Sequence, residues 1–295
     1  LLSSFITYAF NGISLGSVYA IIALGYTMVY GIAKMLNFAH GDVIMIGGYV
    51  LFSMIYGSGT NVFAALIVAM VVCTVLGVVI EKVAYKPLRE ASSLAVLITA
   101  IGVSILLQNI AQLIFTSQPK MFRNPIKLGS VKMFGANIEG STILMIVLGI
   151  IIVVALSIFI RKTKTGRAML AVSEDKDAAK LMGINVNTTI TITFAIGSAL
   201  AALASLLMFN AYPSLIPTSG SMPGIKAFVA AVFGGIGSIP GAMVGGIVLG
   251  IIEVLSGAYI PNGTKLANAI VFVVLIVVLI FKPTGLFGKK IKEKV

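Results

Sequence analysis

Six long uncharged segments constrain this chain more strongly than any other feature of its sequence. They cover residues 1–33, 43–80, 91–119, 140–160, 181–225 and 227–252. A helix of about 20 apolar residues is long enough to cross the hydrocarbon core of a membrane. Lipid offers backbone amides no partner, and the segments lack the alternation of apolar and polar residues typical of barrel strands. They therefore predict transmembrane helices.

The composition supports a polytopic membrane protein. Hydrophobic residues make up 59% of the chain and charged residues 10%, against roughly 25% charged residues in soluble domains. The net charge of +12 would suggest nucleic acid in a soluble protein, but here the basic residues lie mainly in loops beside the apolar segments. The positive-inside rule explains that placement, so we expect contact with membrane lipid and no nucleic-acid partner. Cys73 lies inside an apolar segment and is expected to be a small buried hydrophobe.

Turn-forming residues divide these segments into about eight full spans. The predicted helices cover approximately residues 8–32, 42–56, 62–80, 94–116, 142–160, 189–211, 242–259 and 266–281. Residues 225–235 are too few to cross the bilayer comfortably and run into the sequence GGIGSIPGA, which predicts a short or re-entrant helix. The expected fold class is therefore all-α, a polytopic transmembrane helical bundle that forms a single domain over residues 1–295.

The basic residues predict which loops face the cytoplasm. Placing Lys34, residues 81–90, residues 161–187 and the C-terminal tail inside puts 15 of the 21 basic residues there, as the positive-inside rule requires. The C-terminus is therefore expected to be cytoplasmic. Residues 117–141 fall outside although they carry four basic side chains. We expect a solvated loop there, with contact to an external partner as the alternative.

Residues 161–187 hold nine of the 30 charged side chains in one interhelical loop. Such a concentration predicts that the cytoplasmic segment 161–188 docks a soluble protein, with an ordinary amphipathic loop as the alternative. Within it, residues 177–183 read DAAKLMG. Paired alanines permit close approach of a short helix, acidic groups can pair with cations of a partner, and the glycine permits a sharp turn. The candidate docking residues are Glu174, Asp175, Asp177, Ala178, Ala179, Leu181, Met182 and Gly183.

Glycines and intramembrane polar groups are the other candidate functional residues. Glycines spaced four apart within residues 234–250 permit close helix packing, and the broken backbone there is also suited to line a translocation path. Glu253 lies within an apolar helix, where a carboxylate needs a partner or a cavity, and Lys226 is the candidate partner. Gln108 and Gln112 share one helix face, where hydrogen bonding between helices is the simpler interpretation. The candidates for the path or for helix packing are Gly234, Gly235, Gly237, Pro240, Gly241, Glu253, Gln108, Gln112 and Asn11.

Five segments, in this order along the chain, resemble the branched-chain amino acid permease family of ABC importers, and most of all its H-type subunits. They are NGISLGSVYAIIALGYTMVYGI (11–32), LNFAHGDVIMIGGYV (36–50), EKVAYKPLR (81–89), GRAMLAVSEDKDAAKLMGIN (166–185) and KAFVAAVFGGIGSIPGAMVGGIVLGIIE (226–253). The resemblance covers essentially the whole chain. DAAKLMG is similar to the EAA-type loop of importer permeases, with Asp177 in place of glutamate and Gly183 at the expected spacing.

The resemblance implies a non-enzymatic permease subunit in a bacterial or archaeal inner membrane. Its implied partners are two cytoplasmic ABC ATPases, a second related permease or another copy of this chain, and an external solute-binding protein. The sequence contains no G-x-x-x-x-G-K-[ST] phosphate-binding motif. We therefore expect ATP and Mg²⁺ on the partner subunits, with no cofactor and no metal on this chain. The short helix of the loop is expected to sit in a groove of the ATPase.

Two alternatives remain open from the sequence. A permease for urea or other amides would share the same motifs, so branched-chain amino acids are the expected substrates by resemblance alone. An ion-driven secondary transporter would use Glu253 or His40 and would need no ATPase. A lone histidine beside Asp42 is more simply explained as a structural residue.

Overall fold

The computed structural model of the chain describes residues 2–123, 128–133 and 135–288, and most of these residues are helical. Its α-helices are α1 Leu2–Ala33, α2 His40–Phe52, α3 Val62–Ile80, α4 Ser93–Phe115, α5 Gly140–Lys162, α6 Lys164–Glu174, α7 Lys176–Leu181, α8 Val186–Ala211, α9 Ser221–Gly234, α10 Ile239–Tyr259 and α11 Gly263–Phe281. Short π-helical segments occupy Ser53–Gly57 and Glu81–Tyr85, followed after the second by a 3₁₀ turn over Lys86–Leu88. The strands are β1 Lys120–Met121, β2 Ser130–Met133, β3 Ala136–Glu139 and β4 Ser214–Leu215.

Seven helices in the described part of the chain are long and apolar enough to cross a membrane. They are α1, α3 with its extension to Leu88, α4, α5, α8, α10 and α11. This confirms the all-α transmembrane class. The predicted count of about eight is roughly consistent with these seven. The predicted span 42–56 corresponds to α2 and the π-helical segment that continues it to Gly57, which is not among the seven. The 14-residue helix α9 is short, as the sequence predicted.

The structure does not describe some of the basic residues on which the predicted orientation depends. Lys127, the last four lysines of the tail and the C-terminus lie outside the described residues. The loop predicted over residues 117–141 contains short strands that the sequence did not indicate. β1 pairs antiparallel with β4, and β2 pairs antiparallel with β3.

The chain divides into two compact units, and the first comprises residues 1–27, 128–153 and 226–295. Within it, α1 and α10 pack closely. A Cβ atom added at Gly16 would lie 2.6 Å from the Cα of Ile247, and one added at Gly250 would lie 2.2 Å from the backbone nitrogen of Gly16. Only hydrogen fits at these positions, so the two helix backbones touch, as the glycine spacing predicted for helix packing.

The second unit comprises residues 28–127 and 154–225, and its core is built by α2, α3 and α8. Small residues again bring helices together, since a Cβ at Gly77 of α3 would overlap the side chain of Ser198 of α8. The ring of Tyr49 stacks on Phe115 with the centroids 4.2 Å apart. Cys73 is buried in this core, which confirms the expected packing role.

The α1–α10 contact predicts an unequal response to two glycine substitutions. Gly250→Ala places a methyl group against the backbone of α1 and should destabilise the fold by about 1–3 kcal/mol, the usual cost of overpacking. Gly102→Ala is the matched control, because nothing lies within 4 Å of a Cβ added at that position in α4. Thermal unfolding of the purified variants in detergent measures the difference. Equal melting temperatures would contradict the close contact.

Candidate functional site

The charged loop folds into two short helices, α6 and α7, rather than an irregular segment. Thr163 caps α6, since its side-chain oxygen accepts a hydrogen bond from the backbone nitrogen of Gly166 at 2.9 Å. The side chains of Met169 and Val172 are buried, so α6 packs one face onto its own unit. The charged residues Lys164, Arg167 and Glu174 are exposed, and α7 follows at the end of α6.

Specific residues define the start and the end of helix α7. Asp175 caps its N-terminus, because one carboxylate oxygen accepts from the backbone nitrogens of Asp177 and Ala178, both at 2.9 Å. At the other end Gly183 adopts φ +81°, a conformation that costs a non-glycine residue about 1–2 kcal/mol. This is the sharp turn that the sequence predicted. The capping role of Asp175 was not predicted.

The exposed face of α7 carries most of the candidate docking residues. The side chains of Leu181 and Met182 are 89% and 82% exposed. They are neighbouring large apolar side chains at the end of a polar loop, and the partner surface expected there stays a prediction. Ala179 is only 4% exposed and therefore packs onto its own unit. The others are exposed, namely Glu174, Asp175, Asp177, Ala178 and Gly183.

Two contacts hold α7 in place within the second unit. Lys176, its first residue, donates a hydrogen bond from Nζ to the carbonyl oxygen of Ala33 at 2.9 Å. That carbonyl ends α1, where a positive charge is favourable. At the other end a short turn leads into α8, whose first turn is capped by Asn185. Helix α7 is therefore attached to the end of α1 and to the start of α8.

A groove of about 570 Å³ runs beside α7 within the second unit. Its walls are the α7–α8 turn and the end of the loop before α4. Charged and polar side chains line it, including Arg89, Glu90, Lys176, Lys180 and Asn187. The groove therefore gives α7 a polar border next to its exposed apolar tip.

The environment of Lys176 changes the pKa of its side chain. Burial lowers the pKa of Lys176, and the positive charges of Arg89 and Lys34 lower it further, while Asp177 raises it. The native state therefore disfavours the charged ammonium. The resulting loss of folding stability is fully present below the folded-state pKa of Lys176. It decreases as the pH rises from that pKa toward the higher pKa of the unfolded chain.

A second polar cluster lies in the first unit, around Glu253 of α10. One carboxylate oxygen pairs with Lys226 Nζ at 2.6 Å, and the other accepts a hydrogen bond from the Tyr19 hydroxyl at 2.9 Å. The partner proposed from the sequence is thus confirmed, and the tyrosine is an addition from the structure. The three residues join α1, α9 and α10. Each charge of the pair is compensated, as an intramembrane charge requires.

The glycine-rich turn between α9 and α10 is held by backbone contacts. Gly235 and Gly237 adopt φ values of +104° and +93°. A Cβ at Gly234 would lie 1.9 Å from the carbonyl oxygen of Gly241, so the turn closes tightly. Pro240 occupies the first turn of α10, where a missing N–H costs no hydrogen bond. These contacts describe packing, and a role of this turn in the path remains a prediction.

The same turn also binds the segment that follows α11. The backbone nitrogens of Leu286 and Phe287 donate to the carbonyl oxygens of Phe233 and Gly234, both at 2.9 Å. The end of the described chain therefore lies against the end of α9 in the first unit. This contact was not predictable from the spacing of the glycines.

The other polar candidates, Gln108, Gln112 and Asn11, lie in different environments. Gln108 donates from Nε2 to Asp42 at 3.0 Å and to Ser221 at 3.1 Å, which links α2, α4 and the start of α9 within the second unit. Gln112 is exposed, although it lies one turn away on the same helix. Asn11 is exposed in the first unit and receives a hydrogen bond from Thr142 at 3.5 Å.

The sequence favoured a structural role for His40, which lies beside Asp42. Both side chains are buried in the first turn of α2. The structure therefore puts them in the packed interior of the second unit.

The charges around Lys176 generate a prediction about its titration. Lys34→Gln removes a positive charge and should raise the pKa of Lys176. The pH titration of ¹³C-methylated lysines by NMR measures the change. Lys164→Gln, an equal charge change at an exposed site of α6, is the control and should leave that pKa in place. An unchanged pKa in Lys34→Gln would contradict the electrostatic cause.

The Glu253 cluster predicts a specific pattern of stability. Glu253→Gln leaves the Lys226 ammonium without its countercharge and should cost about 3–5 kcal/mol, typical of a broken buried pair. The double variant Lys226→Met with Glu253→Gln removes both charges and should recover part of the loss. Thermal unfolding in detergent measures both. A double variant no more stable than Glu253→Gln alone would contradict a compensated pair.

Comparison with known proteins agrees with this architecture and with the resemblance found in the five sequence segments. A family model described as "Branched-chain amino acid transport system / permease component" matches residues 8–279. The chain is similar to the high-affinity branched-chain amino acid transport system permease protein LivH of Salmonella typhimurium, with 45% identity over 99% of this chain and 98% of the relative.

Two further relatives extend the similarity across bacteria and archaea. The permease protein BraD of Pseudomonas aeruginosa, also of a high-affinity branched-chain amino acid transport system, is 43% identical over 97% of this chain and 96% of the relative. A probable branched-chain amino acid transport permease protein LivH of Methanocaldococcus jannaschii is 29% identical over 92% and 90% of the two chains. Since the family model and these relatives match nearly the full length, the chain belongs to the family of branched-chain amino acid transport permease components.

Proposed function

We propose that this chain is the membrane-spanning permease subunit of an ATP-driven importer for branched-chain amino acids. In this role it forms part of the translocation path and couples through α7 to separate ATPase subunits. The observation that carries the coupling role is the exposed pair Leu181 and Met182 on a short helix capped at both ends. The family and the permease relatives support the transport role.

The substrate class follows from the relatives whose names specify branched-chain amino acids. A urea or amide permease has no support of this kind. An ion-driven mechanism through Glu253 is disfavoured, because that carboxylate is already held by Lys226 and Tyr19. The ATP-driven importer is therefore the function with the most support.

The proposed assembly contains two cytoplasmic ABC ATPases, a second permease chain and an external solute-binding protein. The second permease is a related chain or another copy of this one. ATP and Mg²⁺ bind to the ATPases, and the charged loop and the C-terminus face the cytoplasm in the inner membrane. The absence of a phosphate-binding motif from the sequence supports this division of labour.

The geometry of α7 suggests how it receives a movement of the ATPase. The two exposed apolar side chains at its end fill a groove of the ATPase, and Asp177 pairs with a cation beside that groove. Since α7 is only six residues long and leads directly into α8, its displacement shifts α8 rather than being absorbed in a flexible loop. Alternating access then requires two arrangements of these helices that ATP binding biases.

Association with the ATPases tests the proposed function. The chain is co-expressed with the other subunits of its transport system, and the amount of co-purified ATPase and the ATP-dependent uptake of leucine are measured. Asp177→Lys and Gly183→Trp should each reduce both by about tenfold, because each alters the docking surface at one end of α7. Glu139→Lys, an equal charge reversal at an exposed acid of β3, is the control and should behave as the wild type.

Two results would contradict this function. One is ATPase recovery unchanged by either α7 variant. The other is uptake by the chain alone in liposomes without ATP, which would favour a secondary transporter.

A further inference from the structure

The segment EKVAYKPLR, residues 81–89, has no role in the mechanism described so far. It follows α3 directly as the π-helical segment Glu81–Tyr85 and the 3₁₀ turn Lys86–Leu88. Both α3 and the segment belong to the second unit, which also contains α7 and α8. Its last residue, Arg89, lines the groove beside α7.

A buried carboxylate forms the centre of this segment. The side chain of Glu81 is 0% exposed. One of its oxygens pairs with Nη2 of Arg89, and the other accepts a hydrogen bond from the Thr191 hydroxyl at 2.8 Å. Thr191 belongs to α8, so Glu81 joins the end of α3 to the second turn of α8.

Arg89 adds a second connection between the end of α3 and α8. Its Nη2 binds Glu81, and its Nη1 donates to the side-chain oxygen of Asn187 in the first turn of α8. The planar guanidinium therefore bridges one acid on the α3 side and one amide on the α8 side. A planar fork with two fixed partners holds distance and orientation better than a single flexible charge does.

Tyr85 fixes the opposite side of the segment. Its hydroxyl donates to the side-chain oxygen of Asn37 at 3.0 Å, and its ring lies 5.2 Å from the ring of Phe194 in α8. Asn37 follows α1, and Ala33 at the end of α1 accepts the hydrogen bond from Lys176 of α7. The segment is thus bound to the same two elements to which α7 is attached.

We propose that Glu81 and Arg89 are positioning residues of the coupling site. Their ion pair fastens α3 to the first turns of α8, so that a displacement of α7 moves α3 and α8 as one body. This inference rests on the proposed function, because it needs α7 to be moved by an ATPase. It assigns the segment 81–89 to transmission, whereas α7 itself provides the docking surface.

Separating docking from transmission tests this role. Glu81→Gln and Arg89→Gln are each assembled with the complete transporter, and three quantities are measured: recovery of the complex, ATP hydrolysis, and leucine uptake per ATP hydrolysed. We expect recovery and hydrolysis at wild-type levels, with uptake per ATP reduced about tenfold, within the usual range of coupling between sites. Arg89→Lys keeps the charge but not the fork and should recover part of the uptake.

Lys82→Gln is the matched control. Lys82 is an exposed cation of the same segment, it does not line the groove, and it forms no ion pair among the described residues. Its replacement should leave uptake per ATP unchanged. If Glu81→Gln and Arg89→Gln also leave it unchanged, the positioning role is wrong.

The variant Asn187→Ala tests the proposal even if substitution of Glu81 or Arg89 prevents folding. Asn187 is exposed, and Asn185 still caps α8, so this variant removes only the outer connection from Arg89. Reduced uptake per ATP with normal recovery supports the proposal, and unchanged uptake per ATP overturns it. A wild-type complex that shows no ATP-dependent uptake would instead count against the proposed function itself.

Discussion

In a lipid environment every backbone amide must find its hydrogen-bond partner within the chain. The rest of this structure depends on that requirement. That constraint makes the long apolar segments helical and leaves side-chain size to decide how closely helices approach. Between α1 and α10 the contact is made by glycine on both sides, with backbone against backbone. In the second unit a glycine of α3 faces a serine of α8 in the same way. Each unit thus has a contact in which a single methyl group would not fit.

The same constraint explains where polar side chains are found. Within the apolar helices two clusters of polar side chains satisfy one another, namely Lys226 with Glu253 and Tyr19, and Gln108 with Asp42 and Ser221. At the end of α3 the pair of Glu81 and Arg89 is buried against α8 rather than solvated. Exposed polar groups of α6 and α7, such as Glu174 and Asp177, lie where the proposed partner binds.

Much of the fold was predictable because its signals are local. The predicted bounds of α3 and α4 agree with the structure to within one residue, since Asn61 and Ser92 cap these helices as turn residues commonly do. The turn at Gly183 was predictable for a similar reason. The strand β1 was not, because it pairs with the distant strand β4, and the sequence did not indicate the local β2–β3 hairpin either. The candidate docking residues were found as a group, but burial separates Ala179 from the rest.

The sequence by itself determined the membrane class, the approximate helices, the charged loop and the family, since these depend on composition and on short contiguous motifs. Only the tertiary structure decided which polar groups meet. Tyr19 and Glu253 are 234 residues apart, and Glu81 and Thr191 are 110 apart. The periodicity of a short sequence segment does not indicate contacts between residues so far apart. For that reason the proposed docking helix was visible in the sequence, whereas the contacts of Glu81 and Arg89 with Thr191 and Asn187 emerged only when α3 and α8 were placed side by side.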